Sequence, residues 1–227
     1  MNRSGSAVVI MAKEPEPGKV KTRLCPPLTP RDAADLYTAF LLDTVGLVSA
    51  TSGADRFLAY DPPSAAEFFR QIVPRPAECV PQGTGDLGMR LSRISRGLFF
   101  RGYRRVVILA SDTPHLPRDC IDRAFSLLDE TDVVLGPCDD GGYYLVGSRV
   151  MAPALFEGIA WSTPAVLEQT PARAEAAGLS WEMLPPCYDV DTIDALRRLV
   201  LDLQAARGEG TVACPHTRKA LAALSHF

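Results

Sequence analysis

The stretch Ala7-Val-Val-Ile-Met-Ala-Lys-Glu-Pro-Glu-Pro-Gly-Lys-Val-Lys-Thr-Arg23 joins a short apolar run to a basic loop. The run at 7–12 predicts a buried first strand, because nearly continuous apolar residues are typical of strands covered on both faces. Three of the four lysines in the chain, Lys13, Lys19 and Lys21, fall in the loop, although arginine is far more common overall. A glycine-containing basic loop after a first strand is a common phosphate site in α/β proteins. A solvated basic turn is the alternative.

Composition narrows the class of protein. The 227 residues are 47% apolar and 22% charged, which suits one large domain or a domain with a small lobe. A net charge of −3 gives no basic field that would indicate nucleic acid. The six cysteines are scattered, without a C-x-x-C pair, which argues against a zinc site or a disulfide framework. The N-terminal apolar run is too short to span a membrane, so we expect a reduced cytoplasmic protein.

Short β-rich runs alternate with longer helical patterns along the chain. The predicted strands are 7–12, 56–60, 78–81, 105–110, 132–136, 143–147 and 181–184. The predicted helices are 30–50, 64–72, 86–101, 118–129, 163–177 and 191–206. This alternation indicates a mostly parallel sheet with helices on both faces. One antiparallel strand is compatible with the pattern, because only a glycine-rich turn separates the fifth strand from the sixth. Ligands of such sheets gather beyond the carboxyl ends of the strands.

Carboxylates follow two of the predicted strands. The segment Ser-Asp112-Thr-Pro comes directly after the fourth strand, where Asp112 can hold a divalent cation or cap the next helix. In Tyr-Asp189-Val-Asp191-Thr the two carboxylates point the same way if the segment is extended, and a cation would relieve their repulsion. Asp191, Thr192 or both can instead cap the last long helix. Asp191 can be the cap while Asp189 is the ligand, or the reverse. Together these segments predict an oxygen-only Mg²⁺ or Mn²⁺ site that substrate phosphate and water complete.

Two further loops combine glycine with polar residues. Gln82-Gly-Thr-Gly-Asp-Leu-Gly-Met-Arg90 lies at a strand-to-helix junction, where N–H groups favour an anion or a ribose hydroxyl, and a plain turn is the alternative. Cys138-Asp-Asp-Gly-Gly-Tyr-Tyr144 carries an Asp-Gly hairpin signal, and its carboxylates and amides can also position the hydroxyls of an acceptor. Trp161 can be either a core or an interface aromatic residue. His115 can either contact a phosphate or be a loop residue without a role in binding. No Walker motif or nucleophile elbow occurs in the sequence.

Taken together, these segments resemble the nucleotide-diphospho-sugar transferase superfamily, which has the GT-A fold. The resemblance is greatest to an uncharacterised bacterial subgroup labelled glycosyltransferase-like and often found beside radical SAM genes. That subgroup is similar to nucleotidyltransferases that activate phospholactate or molybdopterin. The resemblance implies an α/β fold, a three-layer α/β/α sandwich with a mostly parallel mixed sheet. It also implies a single domain over 1–227, with a core at about 7–203 and a C-terminal helical tail at 208–227.

The resemblance implies roles for the residues of each loop. The phosphates would be bound by the basic loop, with Lys21 and Arg23 foremost and Lys13, Gly18 and Lys19 beside them. The residues expected to contact the base and ribose are Gln82, Gly83, Gly85, Asp86 and Arg90. The metal would be held by Asp112 and Asp191, and Asp112 would act in catalysis with Lys21 and Arg23. The residues expected to face the acceptor are Asp140, Gly141, Gly142 and Tyr143.

The activity that the resemblance implies is metal-dependent transfer from an activated nucleotide to a small acceptor. In the nucleotidyl version an acceptor phosphate attacks the α-phosphorus and pyrophosphate leaves. In the glycosyl version an acceptor hydroxyl attacks the sugar carbon and a nucleoside diphosphate leaves. Relatives that transfer nucleotidyl groups usually have a more glycine-rich first loop. In this chain Pro15 and Pro17 replace most of those glycines, so the donor can be a triphosphate or a nucleotide diphospho-sugar. A non-catalytic nucleotide sensor or scaffold is the alternative. We expect no nucleic acid or membrane insertion, and a homodimer is left open.

Overall fold

One seven-stranded sheet organises the protein. The computed structural model describes residues 5–75, 77–205 and 214–224. The strands are β1 (Ser6–Lys13), β2 (Asp55–Asp61), β3 (Glu78–Pro81), β4 (Arg105–Ala110), β5 (Val133–Pro137), β6 (Tyr143–Ser148) and β7 (Trp181–Met183). Their spatial order is β3-β2-β1-β4-β6-β5-β7. Strand β6 runs antiparallel to β4 and β5, and the other neighbours are parallel. The predicted mixed sheet is therefore confirmed.

Helices cover both faces of this sheet. In the described residues the α-helices are α1 (Pro30–Ala50), α2 (Ala66–Ile72), α3 (Leu87–Phe100), α4 (Cys120–Leu127), α5 (Val166–Ala176), α6 (Ile193–Ala205) and α7 (Pro215–Ala223). Short 3-10 helices occupy Thr22–Leu24, Pro63–Ala65 and Pro153–Phe156. All six predicted helices form within a few residues of their expected bounds.

Alternate residues of the central strand β1 separate two apolar layers. Val8 and Ile10 face one layer, which α1, α2 and α4 cover. Val9 faces the opposite layer, which α3 and α5 cover. Successive side chains of a strand point to opposite faces, so a strand this apolar needs helices on both sides. The α/β/α sandwich is thereby confirmed.

The long first helix α1 has a capped start and a buried body. The Thr29 hydroxyl accepts a hydrogen bond from the Asp32 N–H at 3.1 Å, and the Asp32 carboxylate accepts one from the Thr29 N–H. This capping box fixes the beginning of the helix. By length and composition α1 could cross a membrane, but 61% of its apolar window is buried inside the protein, as in a core helix.

The C-terminal helix α7 packs against α1. The Asp43 carboxylate of α1 accepts hydrogen bonds from the backbone N–H groups of His216 and Thr217, at 3.1 and 2.8 Å. An anion at a helix N-terminus satisfies N–H groups that have no partner within the helix. Of the helical tail predicted at 208–227, residues 215–223 form α7, and the parts at 208–213 and 225–227 lie outside the described residues.

Candidate functional site

A cleft of about 910 Å³ opens beyond the carboxyl ends of the central strands. Most of the predicted site residues line it: Lys13, Lys19, Lys21, Arg23, Gln82, Gly85, Asp86, Arg90, Asp112, Asp140, Gly142, Tyr143 and Asp191. Gly18, Gly83 and Gly141 belong to the same loops but do not line the cleft. The structure thus brings together five loops that are far apart in sequence.

Lys21 lines the cleft and lies between the two predicted metal ligands, Asp112 and Asp191. Its Nζ is 2.8 Å from Oδ1 of Asp112 and 2.6 Å from Oδ1 of Asp191, and its side chain is only 4% exposed. Burial by itself disfavours the charged ammonium, but the two carboxylates outweigh that effect and raise the pKa of Lys21. Lys21 is therefore a permanent cation that holds two loops together.

The other basic residues of the first loop are more exposed. Arg23 has a side chain 69% exposed, and its Nη1 is 3.9 Å from Oδ2 of Asp191. Lys19 is 71% exposed and pairs with Glu16 at 2.5 Å. Lys13 is exposed at the end of β1. These side chains can move to meet a ligand, whereas the Lys21 ammonium is already engaged by carboxylates.

Tyr37 of α1 joins the ends of β1 and β4, and sequence reasoning missed it. Its hydroxyl accepts a hydrogen bond from the Lys13 N–H at 3.0 Å and lies 2.8 Å from Oγ of Ser111. Burial raises the pKa of Tyr37 to about 12, so the phenol stays protonated. In the sequence Tyr37 is one more helix position facing the core, and nothing there marks its polar partners.

The acidic side of the cleft contains two aspartates with different environments. Burial would raise the pKa of Asp191, but Lys21 outweighs it and lowers that pKa. Burial, reinforced by Asp191 and Asp140, raises the pKa of Asp189 to about 6. The Val190 N–H between them donates to the backbone carbonyl of Asp112 at 3.0 Å. Asp191 is thus an anion paired with Lys21, while Asp189 lies among other carboxylates.

The loop after β3 is fixed by its own side chains. The buried Gln82 amide donates to the carbonyls of Ala12 and Ala59, both at 2.9 Å. Asp86 caps α3 by accepting from the Met89 N–H at 2.8 Å. Both side-chain N–H groups of Gln82 are therefore hydrogen-bonded to carbonyls of the sheet. Its predicted contact with a base stays a prediction.

Two arginines of α3 complete this loop. The Arg90 guanidinium donates to Asp61 at 2.9 Å and to the Gly85 carbonyl at 3.0 Å. Arg93 donates to the Gln82 carbonyl at 2.8 Å. Gly83 has φ +81°, and a Cβ there would lie 2.5 Å from the Arg93 guanidinium. The positive φ therefore favours glycine at this position, and the absence of a Cβ leaves room for the Arg93 guanidinium.

The turn between β5 and β6 is a hairpin that also faces the cleft. Asp140 accepts from the Gly142 N–H at 2.9 Å, which holds its carboxylate in place. Gly141 has φ +86°, and a Cβ there would meet the Pro164 carbonyl at 2.4 Å. The hairpin that the Asp-Gly pair predicts is confirmed, and Asp140 lines the cleft as well.

An aromatic wall continues from this hairpin. The Tyr143 ring meets Trp161 edge to face, with ring centroids 6.2 Å apart. Burial raises the pKa of Tyr143, and its hydroxyl is buried. The ring of Tyr143, and not its hydroxyl, is thus the part that a ligand in the cleft can contact. Trp161 lines the same wall and packs, partly buried, against the apolar layer that α3 and α5 cover.

Comparison with proteins of known structure agrees with this architecture. A protein from Desulfovibrio desulfuricans G20, provisionally named a nucleotide-diphospho-sugar transferase, is 33% identical over 96% of both chains, with a TM-score of 0.86. A 4-diphosphocytidyl-2C-methyl-D-erythritol synthase from Anaerococcus prevotii DSM 20548 is 11% identical, with 88% of this chain and 97% of that one covered and a TM-score of 0.58. A CMP:2-keto-3-deoxy-manno-octonic acid synthetase in complex with CTP is 12% identical, with coverages of 88% and 99% and a TM-score of 0.57.

The two more distant likenesses show the fold alone, and the predicted fold class is confirmed. The comparison with curated proteins finds no match. Residues 44–163 match the model of a family described as an uncharacterized protein conserved in bacteria, DUF2064. With that match and the 33% identical relative, the chain belongs to the DUF2064 family.

Proposed function

We propose that the protein is a metal-dependent transferase that binds an activated nucleotide in the cleft and passes part of it to a small acceptor. The observation that carries the proposal is the buried Lys21 ammonium between Asp112 and Asp191. This arrangement brings the basic loop and two carboxylates together at the strand ends where α/β proteins bind ligands. The name of the 33% identical relative and the CTP complex of a protein with the same fold support a nucleotide donor.

The proposed cation is Mg²⁺ or Mn²⁺, with Asp112 and Asp191 as its protein ligands. Each carboxylate has one oxygen on Lys21, and each side chain is about one third exposed, at 36% and 34%. Oxygen ligands completed by phosphate and water suit these ions, so the residues fit the cation. When bound, it would neutralise negative charge that develops on the phosphates.

The side chains of the cleft would act mainly by positioning and by charge. Lys21 would keep the two carboxylates in place and add its own positive charge. Arg23, exposed at the mouth, would reach the donor phosphates. We favour nucleotidyl transfer, in which an anionic acceptor phosphate attacks the α-phosphorus and pyrophosphate leaves, because this chemistry needs charge neutralisation more than a general base.

Glycosyl transfer is the second candidate, and the provisional name of the 33% identical relative favours it. In that version an acceptor hydroxyl attacks the sugar carbon and a nucleoside diphosphate leaves. The acceptor would lie against Asp140 and the aromatic wall of Tyr143 and Trp161 in both versions. The hydroxyl nucleophile would have to lose a proton, and the cleft offers carboxylates for that purpose.

The experiment is a thermal-shift screen of the four nucleoside triphosphates and common sugar nucleotides, with and without Mg²⁺. A ligand that binds only the folded protein adds about 2.7 kcal/mol of stability at a hundredfold excess over its Kd. Ligands that bind are then incubated with phosphorylated and hydroxylated acceptors. Pyrophosphate release identifies nucleotidyl transfer, and nucleoside diphosphate release identifies glycosyl transfer. Binding without product favours a sensor, and the lack of any shift contradicts the proposal.

We also propose a reduced cytoplasmic setting, which the six free cysteines support. The single domain, the homodimer and the neighbourhood of radical SAM genes stay predictions.

A further inference from the structure

Cys138 brings a thiol to the acidic side of the cleft. Its Sγ and carboxylate oxygens of Asp140 and Asp189 all lie within 4.8 Å of one another. Cys138 is only 7% exposed, yet it lines the cleft. Across the described residues its thiol forms no hydrogen bond and no disulfide. A buried thiol without a partner, facing two carboxylates, has the donor set of a metal site.

We propose that Cys138, Asp140 and Asp189 form a site for a thiophilic divalent cation such as Zn²⁺ or Cd²⁺. Sulfur ligands select softer ions, whereas an oxygen-only set selects Mg²⁺. Three protein ligands facing an open cleft leave the remaining coordination position to water or substrate, as in zinc sites that are not purely structural. This site differs in chemistry from the oxygen-only site proposed for Asp112 and Asp191.

The charge balance of the cleft separates the two sites. The carboxylates of Asp112 and Asp191 share the ammonium of Lys21. No lysine or arginine of the described residues forms an ion pair with Asp140 or Asp189. In the part of the chain that the structure describes, the carboxylates of Asp140 and Asp189 therefore have no paired lysine or arginine to balance their charge, and an added cation beside Cys138 would supply that balance.

The fold holds the three ligands before any cation arrives. The Cys138 N–H donates to the Gly142 carbonyl at 3.0 Å, and Cys138 pairs with Cys187 in a parallel β-bridge. Asp140 is fixed by the Gly142 N–H, and Asp189 precedes Val190, whose N–H is bonded to the Asp112 carbonyl. Sites built on such supported backbone bind with little reorganisation. On binding, the thiol would release its proton to solvent and coordinate as thiolate.

The test is a titration of the whole protein with Cd²⁺ alone, followed by the ultraviolet charge-transfer absorption of a cadmium–thiolate bond. We expect one tight equivalent that gives this band, that Zn²⁺ displaces and that excess Mg²⁺ does not. Cys138→Ala should remove the band and weaken binding by about tenfold or more. Asp189→Asn should keep the band and bind more weakly. The wild-type protein without a band would overturn the proposal.

Cys187→Ala is the matched control, because the Cys187 thiol belongs to the same region but contacts Nε2 of His115 at 3.3 Å. It should keep both the band and the affinity. A band that persists in Cys138→Ala and disappears in Cys187→Ala would place the ion on the His115–Cys187 pair and refute the proposal. Melting curves without metal check that each variant folds, and Cys138→Ser replaces Cys138→Ala if the latter does not. Because no nucleotide is used, the outcome is independent of the proposed transferase activity.

Discussion

Lys21 and Lys19 are two residues apart, yet their environments are opposite. Lys21 is 4% exposed and bonded to two carboxylates, whereas Lys19 is 71% exposed and pairs only with a neighbour in its own loop. Lys21 also directly precedes the 3-10 helix Thr22–Leu24 with φ 48°, a left-handed conformation that residues other than glycine adopt at some cost. A cost in backbone energy at a buried charge is consistent with a residue that serves a site.

Replacing Lys21 by alanine should therefore damage both binding and stability. The variant leaves Asp112 and Asp191 close together without their cation, which should cost about 2 to 3 kcal/mol, less than a fully buried pair because both are partly hydrated. Nucleotide affinity should fall at least about tenfold, because the two proposed metal ligands lose the cation that keeps them in place. Urea unfolding and nucleotide thermal shifts measure the two effects. Lys19→Ala is the control and should change neither by much; equal effects in the two variants would contradict the assignment.

Asp112→Asn should remove metal dependence while the fold is kept. The hydrogen bond from the Val190 N–H goes to the backbone carbonyl of Asp112, so the amide side chain leaves it intact. The neutral amide is a weaker ligand for Mg²⁺ than a carboxylate. We expect the difference between nucleotide thermal shifts with and without Mg²⁺ to vanish. Asp119→Asn, an exposed carboxylate before α4, should keep that difference. A Mg²⁺ effect that survives in Asp112→Asn would return Asp112 to a structural role.

At the scale of elements, α6 fastens two loops of the cleft. Arg198 of α6 donates to Asp139 at 2.6 Å, and its guanidinium lies 3.8 Å above the Tyr188 ring. The Tyr188 hydroxyl donates in turn to Asp202 at 2.5 Å. Asp139 precedes Asp140, and Tyr188 precedes Asp189. Asp140 and Asp189 form what we call the acidic cluster. One helix thus contacts the residue that precedes each of these two aspartates.

Arg198→Ala should loosen this arrangement with little loss of stability. Both partners of the ion pair are about half exposed, so we expect less than about 1 kcal/mol in urea unfolding. Affinity for Cd²⁺ should nevertheless fall several-fold, because two ligands lose their support. Arg197→Ala, one position along the same helix and 65% exposed, is the matched control. Arg198→Lys should restore only part of the affinity, since lysine lacks the planar guanidinium that stacks on Tyr188. Unchanged cadmium affinity in Arg198→Ala would limit α6 to packing.

The sequence predicts these elements better than it predicts their contacts. Strand bounds follow from local apolar runs, and the α1 start follows from its capping box, so both are readable from neighbouring residues. The Lys21–Asp191 contact joins residues 170 positions apart, and no local pattern specifies it. Gln82 shows the limit most clearly: its glycine-rich context indicates a ligand loop, yet its amide is used on two backbone carbonyls. Hydrogen bonding in the folded state decides such cases.

At the scale of the whole molecule, a third apolar cluster packs helices α1, α6 and α7 against the segment that carries Asp189 and Asp191. Phe40 of α1, Val190 beside the acidic cluster, Leu196 of α6 and Leu221 of α7 share it. His115 packs against Tyr188 of this cluster, with ring centroids 4.1 Å apart and the ring planes tilted by 37°. Its Nδ1 is buried without a hydrogen-bond partner among the described residues. Protonation of His115 would therefore place a charge against packed aromatic and aliphatic groups.

The stability of the folded protein should accordingly fall as His115 becomes protonated. Burial lowers the pKa of His115 to about 4; Asp202 opposes this shift and Arg198 adds to it. The pKa of a histidine in the unfolded chain is about 6.5. Between about pH 6.5 and pH 4 the unfolded state therefore binds the extra proton, and the free energy of unfolding decreases as the pH falls. The full effect is about 3 kcal/mol, at about 1.4 kcal/mol for each unit of pKa.

The variant His115→Gln isolates the contribution of His115 to the pH dependence of stability, because glutamine does not titrate and every other group is common to both proteins. Asp189, whose folded pKa is raised to about 6, contributes with the opposite sign in the same range and cancels in the comparison. We expect the free energy of unfolding of the wild type, relative to the variant, to decrease steadily from pH 7 to pH 4 in urea titrations. A difference that stays constant over this range would mean that His115 is solvated in the folded protein. The third cluster would then be open to water at the edge next to the acidic cluster.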